Sequence, residues 1–232
     1  MSSVLVTGSD RGLGLEWVRQ YANAGWRVYA TCPFPEEAYD LKRVAAENSE
    51  VSVHRLDVTR ADQVRQMAAV LGDVPLDMLV NNAGIYRERW ARDPLGRIDY
   101  GDWQDSFAVN TLGAVRVSEA LINNLARSET RLIVATSSSM GSIAGIDTPG
   151  NYAYRSSKAA LNAAMKGLSL EVAALGVGVL MLHPGWVRTR MGGEKAPLSA
   201  AESVAAMRRL VDQYQPGDSG RFCNYEGREI PW

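Results

Sequence analysis

A tyrosine and a lysine stand four residues apart in Tyr154-Arg155-Ser156-Ser157-Lys158. On a helix, positions i and i+4 share one face. A phenol ordinarily titrates near 10, so acid–base work close to neutrality needs about 4 kcal/mol of differential stabilisation. An ammonium one turn away supplies part of it in a dry site. Taken alone, the pair also fits a surface lysine beside a core tyrosine. Tyr152 lies six residues from Lys158 and falls on another face. Hydroxyls cluster in Thr136-Ser137-Ser138-Ser139-Met140-Gly141, and one of them could hold a reacting oxygen. Asn110 sits inside the helix-like run Phe107-Ala108-Val109-Asn110-Thr111. Asparagine competes for backbone hydrogen bonds there, so a kink or a bound water is expected.

A second constellation lies at the start of the chain, in Thr7-Gly8-Ser9-Asp10-Arg11-Gly12-Leu13-Gly14. An apolar run precedes it and a helical pattern follows. Glycines in such a turn allow a tight bend, close backbone approach to a pyrophosphate, and close helix–strand packing. The helix N-terminus then offers free N–H groups to phosphate. No Gly-Lys-Ser/Thr follows, so the loop is not a P-loop. An acid usually ends the second strand where ribose hydroxyls are held. Here the strand ends Ala30-Thr31-Cys32-Pro33-Phe34, with no carboxylate before Glu36. The missing acid and the cation Arg11 favour a 2′-phosphate, hence NADP over NAD, with NAD still possible.

These residues need elements to position them. Apolar runs at Val4–Val6, Arg27–Thr31, Val51–Leu56, Met78–Val80, Leu132–Ala135, Val177–Leu182 and near Phe222 lack in/out alternation, as strands buried on both faces do. Segments of helical period separate them: Gly12–Ala24, Glu36–Glu47, Ala61–Leu71, Trp103–Leu125, Tyr152–Leu175 and Ala200–Tyr214. The pattern predicts an α/β chain: a doubly wound Rossmann fold, mostly parallel, of about seven strands with helices on both faces. One domain over residues 1–232 is expected, with ligands at the carboxyl ends of the strands.

Composition bounds the function. The 232 residues carry 25 Lys plus Arg against 26 Asp plus Glu, a net charge of −1 that gives no basic surplus for nucleic acid. No apolar run reaches the roughly 18 residues of a membrane span, and no secretory signal is visible, so a cytoplasmic protein is expected. The two cysteines are far apart and make no metal-ligand cluster, so no metal is expected. His54 and His183 neighbour no nucleophile and read as structural.

Taken together, the motifs resemble the short-chain dehydrogenase/reductase family over nearly the whole chain. Gly8, Arg11, Gly12, Leu13 and Gly14 match its cofactor loop, Asp57-Val58 its adenine pair, and Asn82-Ala83-Gly84 its fourth-strand motif. Pro184-Gly185-Trp186-Val187-Arg188-Thr189 is similar to the segment that holds the nicotinamide amide. Asn110, Ser138, Tyr154 and Lys158 resemble the catalytic tetrad, the Ser-x-x-Gly pattern implying Ser138 as its serine with Ser139 second. Within the family, Tyr-Ala-Tyr-Arg-Ser-Ser-Lys and His-Pro-Gly-Trp-Val-Arg-Thr resemble the C-factor-like and Sniffer-type carbonyl reductase subgroup. That subgroup often carries Arg where Pro33 stands, which leaves Arg11 to hold a 2′-phosphate.

The resemblance implies hydride transfer between a nicotinamide cofactor and a small carbonyl or alcohol, with Tyr154 as general acid/base. Tyr154 and Lys158 would also touch the cofactor. A homodimer or homotetramer through the helices of Trp103–Leu125 and Tyr152–Leu175 is expected. The competing reading is a cofactor-binding signalling or regulatory protein with little turnover. Trp186, Met140, Trp90, Trp103 and Tyr152 are candidates for an apolar pocket, and Arg188–Ala200 for a lid.

Overall fold

The apolar runs pair side by side as seven parallel strands. The computed structural model describes residues 1–88 and 95–232; Trp90 lies outside them. The strands are β1 (Ser3–Thr7), β2 (Arg27–Cys32), β3 (Val51–Arg55), β4 (Met78–Asn81), β5 (Leu132–Thr136), β6 (Gly178–His183) and β7 (Arg221–Asn224). They lie in the order β3-β2-β1-β4-β5-β6-β7. The order reverses between β1 and β4, and that switch point opens a crevice at the strands' carboxyl ends.

Alternate residues of each strand feed two cores, one per face. Val4, Val6, Val80 and Val134 meet Trp17, Tyr21 and Leu41 on one side. Leu5, Leu79, Ile133 and Ala135 meet Leu121, Leu161 and Met165 on the other. The first face is covered by α1 (Gly12–Asn23), α2 (Tyr39–Glu47) and α7 (Ala200–Asp212), the second by α3 (Ala61–Leu71), α5 (Ala114–Ala126) and α6 (Tyr152–Glu171), while α4 (Tyr100–Phe107) packs against α6. Burial on both faces explains why the strands show no alternation.

Three of the expected helices differ by more than two residues. The expected helix over Glu36–Glu47 divides into a 3-10 turn, Pro35–Glu37, and α2, because proline supports a first turn but removes a donor. The expected helix over Trp103–Leu125 starts earlier, at Tyr100, and is broken by a π-turn over Ala108–Gly113. The last turn of the expected Tyr152–Leu175 helix tightens to 3-10 geometry over Val172–Leu175.

Candidate active site

The glycine loop joins β1 to α1 at the switch point. Gly8 and Gly12 hold φ of +63° and +56°, the left-handed region that favours glycine. A methyl group on Gly14 would sit 2.1 Å from the Gly8 carbonyl oxygen, so only hydrogen fits there. Asn82 secures the loop from β4: its amide nitrogen donates to the Thr7 and Gly8 carbonyls, both at 3.0 Å. Ala83 lies under Gly8, and Leu13 packs on the adjoining core. The first turn of α1 holds no acidic residue, and Arg11 gives it no side-chain cap. Its N–H groups therefore face the crevice as an anion cradle.

The adenine-side and amide-side candidates flank this loop. The Asp57 carboxylate accepts from the Thr59 amide and hydroxyl, and the Val58 carbonyl accepts from Arg116. Beyond β6, the Pro184 carbonyl accepts from Ser203, and Gly185 takes φ +83° where a side chain would strike Leu198 and Tyr225. Val187 is buried, and the Thr189 methyl reaches Gly12 across the crevice. The candidate lid folds back on itself: Arg188 donates to the Ala196 carbonyl, and the Trp186 indole to the Gly192 carbonyl.

Arg11 pairs with Asp10 at 2.9 Å on an exposed loop. A second cation, missed in the sequence, stands at the same corner. The parallel register sets Cys32 of β2 beside Arg55 of β3. From there the Arg55 guanidinium donates to the Pro33 carbonyl at 2.9 Å and to Glu36 at 2.8 Å. Pro33 cannot supply a charge, but Arg55 brings one to its carbonyl.

The Asn110, Ser138, Tyr154 and Lys158 side chains converge at the carboxyl ends of β4 and β5. The expected disturbance at Asn110 is the π-turn. It leaves the side chain free to clamp both backbone groups of Ile85, accepting from its N–H at 2.8 Å and donating to its carbonyl at 2.9 Å. The Tyr154 hydroxyl is hydrogen-bonded to Ser138. Ser138 is buried whereas Ser139 is exposed, which separates the two serine candidates. Lys158 is buried, donates to the Thr136 carbonyl at 2.8 Å, and lies 5.8 Å from the Tyr154 ring centre. Gly84 leaves the space between Asn110 and Lys158 open.

The electrostatics run against one expectation. The phenol is not lowered toward neutrality in the chain by itself. Burial pushes Tyr154 up to about 12, and the Ser138 bond opposes this only in part. Burial also lowers Lys158 to about 8. Desolvation dominates both shifts; at Tyr154 only Ser138 opposes it, and Tyr86 adds to it. The arrangement is thus a protonated phenol poised beside a serine hydroxyl.

Two neighbours were not foreseen. Tyr86 stacks on Tyr154 with ring centres 4.2 Å apart, and buried Glu88 accepts from the backbone at the start of α6. Of the expected pocket residues, Met140, Trp103 and Tyr152 do line an apolar cavity of about 340 Å³, with Ile143, Ile146 and Ala159. That cavity is lined from α6 by Tyr152, Arg155, Ser156 and Ala159, not by Tyr154 or Lys158. Residues two apart on a helix differ by about 200°, so the two sets face different sides.

Comparison with known proteins agrees with this architecture. The model of the short chain dehydrogenases matches residues 2–198. The C-signal protein of Myxococcus xanthus is 44% identical over 158 residues, which cover 68% of this chain and 93% of that one. The structure of carbonyl reductase Sniffer of D. melanogaster matches at TM-score 0.93 and 32% identity, with 100% of both chains covered. An NADPH-bound carbonyl reductase from chicken fatty liver matches at TM-score 0.92 and 31% identity, covering 100% of this chain and 99% of that one. With a glycine cradle at the switch point and the family match over most of its length, the chain belongs to the short-chain dehydrogenase family of NAD(P)-dependent oxidoreductases.

Proposed function

We propose that the protein reduces a small-molecule carbonyl to an alcohol with NADPH, Tyr154 being the proton donor. The observation that carries this is the buried Tyr154 hydroxyl bonded to Ser138 above Lys158, beside the glycine cradle. When bound, a reduced nicotinamide supplies the hydride for the carbonyl carbon. Ser138 holds the carbonyl oxygen, and the Tyr154 O–H gives it the proton. A phenol near 12 stays protonated at any physiological pH, so the donor is always loaded. Lys158 supplies the nearest cation and steadies the phenolate left after transfer. Asn110 fixes the loop at Ile85 and so shapes the floor under the cofactor.

The residues present fit a dinucleotide. Gly8, Gly12 and Gly14 with the α1 N-terminus would cradle the pyrophosphate. Asp57 and Val58 would lie against adenine; Asn82, Ala83 and Gly84 would line the ribose side; Pro184, Gly185, Val187 and Thr189 would meet the nicotinamide amide. Arg11 and Arg55 would hold a 2′-phosphate, which favours NADP. Both already pair with carboxylates, Arg11 with half-buried Asp10 and Arg55 with exposed Glu36, and pairs at the surface are weak enough to exchange for a phosphate. Similarity to a protein named C-signal supports a second reading, a cofactor-binding signal protein. The Ser138–Tyr154–Lys158 cluster favours the enzyme, because cofactor binding alone requires no proton donor.

NADPH consumption against a panel of ketones and aldehydes tests the proposal, with two variants. Tyr154→Phe keeps the ring and its stacking on Tyr86 and is expected to lower turnover by roughly 10²–10⁴ with cofactor affinity retained. Tyr152→Phe, on another face of α6, is expected to cost little. Similar activities for the two variants would reject Tyr154 as the donor.

A further inference from the structure

The helix carrying Tyr154 and Lys158 begins without a cap of its own. Its first N–H groups need partners, and the preceding residue usually supplies one. Asn151 occupies that place but takes a left-handed φ of +56° and makes no side-chain cap. Its side-chain oxygen instead accepts from the Tyr86 hydroxyl at 2.6 Å. The missing partner comes from 65 residues upstream: one carboxylate oxygen of Glu88 accepts from the Ala153 N–H at 3.0 Å. The other oxygen accepts from the Tyr154 N–H at 2.8 Å. Glu88 is buried, with 7% of its surface exposed, so this is a charge taken out of water for two backbone donors. An anion at a helix N-terminus is also stabilised by the helix dipole.

The same short segment is fixed at every step. Asn110 clamps Ile85 through both backbone groups. Tyr86 stacks on Tyr154 and bonds Asn151. Glu88 then closes on the backbone of Tyr154 itself. The π-turn and the start of α6 thus meet through one stretch of four residues beyond β4, and the phenol's position is set by that stretch.

We propose that Glu88 is a positioning residue for the proton donor: its carboxylate anchors the first turn of α6 to the Ile85–Glu88 segment and holds the Tyr154 hydroxyl in register with Ser138. This rests on the reading of Tyr154 as donor. Misplacement of a reacting group by about 1 Å can cost on the order of 10²-fold in rate. The Glu88 carboxylate bonds the backbone of Ala153 and Tyr154, whereas the glycine loop is secured by Asn82, so its loss is expected to act on the chemical step and not on the dinucleotide.

The test compares wild type, Glu88→Ala and Glu88→Gln in NADPH-dependent carbonyl turnover, NADPH titration and amide hydrogen exchange. Glu88→Ala is expected to lower kcat by roughly ten- to a hundredfold. The KM and Kd for NADPH should stay within about twofold, and faster exchange should be confined to the peptide covering Ala153 and Tyr154. Glu88→Gln keeps one acceptor oxygen at the same reach and should recover part of kcat. Wild-type kcat in Glu88→Ala would overturn the proposal, as would a loss of NADPH affinity matching the loss of kcat. Unchanged exchange at Ala153 and Tyr154 would overturn it too. If wild type turns over no carbonyl, the donor reading fails, while the exchange measurement still decides the anchor.

Discussion

Lys158 offers a stability prediction whose sign opposes intuition. The residue is 4% exposed, and among the described residues its ammonium has one acceptor, the Thr136 carbonyl. Burial lowers its pKa from 10.5 to about 8. That drop corresponds to about 3 kcal/mol of destabilisation whenever the folded protein carries the charge. Below about pH 8 the lysine is charged in both folded and unfolded chains, so the full cost is present. Between about 8 and 10.5 the folded chain releases the proton while the unfolded chain keeps it, so stability rises with pH. Lys158→Met removes the charge and keeps the bulk. The lost hydrogen bond takes back about 1 kcal/mol. The cofactor-free variant should then be more stable than wild type at pH 7 by about 2 kcal/mol, or roughly 4–8 °C in Tm for a chain of this size. At pH 10 the gain should vanish, since wild type has by then shed the charge. Paired thermal melts at the two pH values measure this, and other titrating groups cancel in the difference. Turnover of the variant should collapse at both pH values, the usual conflict between a strained site and stability. A variant less stable than wild type by the same amount at pH 7 and pH 10 would refute the reasoning.

Three further outcomes are expected. Arg11→Ala and Arg55→Ala should each weaken NADPH by about tenfold, the worth of one charge-assisted contact, and leave NADH within about twofold; fluorescence titration reads both, and a wild type that prefers NADH would reject the assignment. Gly14→Ala sets a methyl 2.1 Å from the Gly8 carbonyl oxygen and should lose cofactor binding and several degrees of Tm, whereas Gly217→Ala, with nothing within 4 Å, should be neutral in both measurements. Light scattering should return two or four times the 25.3 kDa chain mass, because Leu112 and Leu170 stand exposed on the π-turn and on α6; a mass of one chain would reject the oligomer.

What the sequence revealed depended on how local the physics was. Val4-Leu5-Val6 and Leu132-Ile133-Val134 read as strands because both faces are buried, a condition that leaves its mark residue by residue. Gly8, Gly12 and Gly14 were legible because a turn with positive φ and close packing excludes other residues. Asn110 announced a disturbance through its poor fit to a helix, though not its form. Glu88 was invisible: in Tyr86-Arg87-Glu88 it looks like a solvated charge, and its partners are backbone N–H groups far along the chain. Arg55 was missed for the same reason, since only the β2–β3 register brings it to Pro33. The direction of the Tyr154 shift was misjudged because spacing shows the neighbouring lysine but not the depth of burial that raises the phenol. Trp103, Met140 and Tyr152 were rightly grouped, but helix phase turns their cavity away from the phenol.

The two shifted groups together argue for a direction of chemistry. A phenol near 12 beside an amine near 8 keeps its proton while the lysine is still able to change state. In the proposed reduction the phenol would give its proton to a developing alkoxide, a stronger base than phenolate, so the high value would not obstruct the transfer. In oxidation the same phenol must first be emptied, and in this dry site that step is uphill at neutral pH. Lys158 is the one cation within reach of the ring among the described residues, and it too weakens as pH passes about 8. Raising pH therefore helps oxidation through the phenol while removing the charge that would hold the phenolate. Carbonyl reduction, by contrast, should run fastest below about pH 8, with Lys158 charged and Tyr154 loaded. Ser138 fits the same logic: its bond to the phenol only partly offsets burial, so it orients the proton without drawing it off. The burial that costs the fold stability at Lys158 is the same burial that keeps Tyr154 an acid.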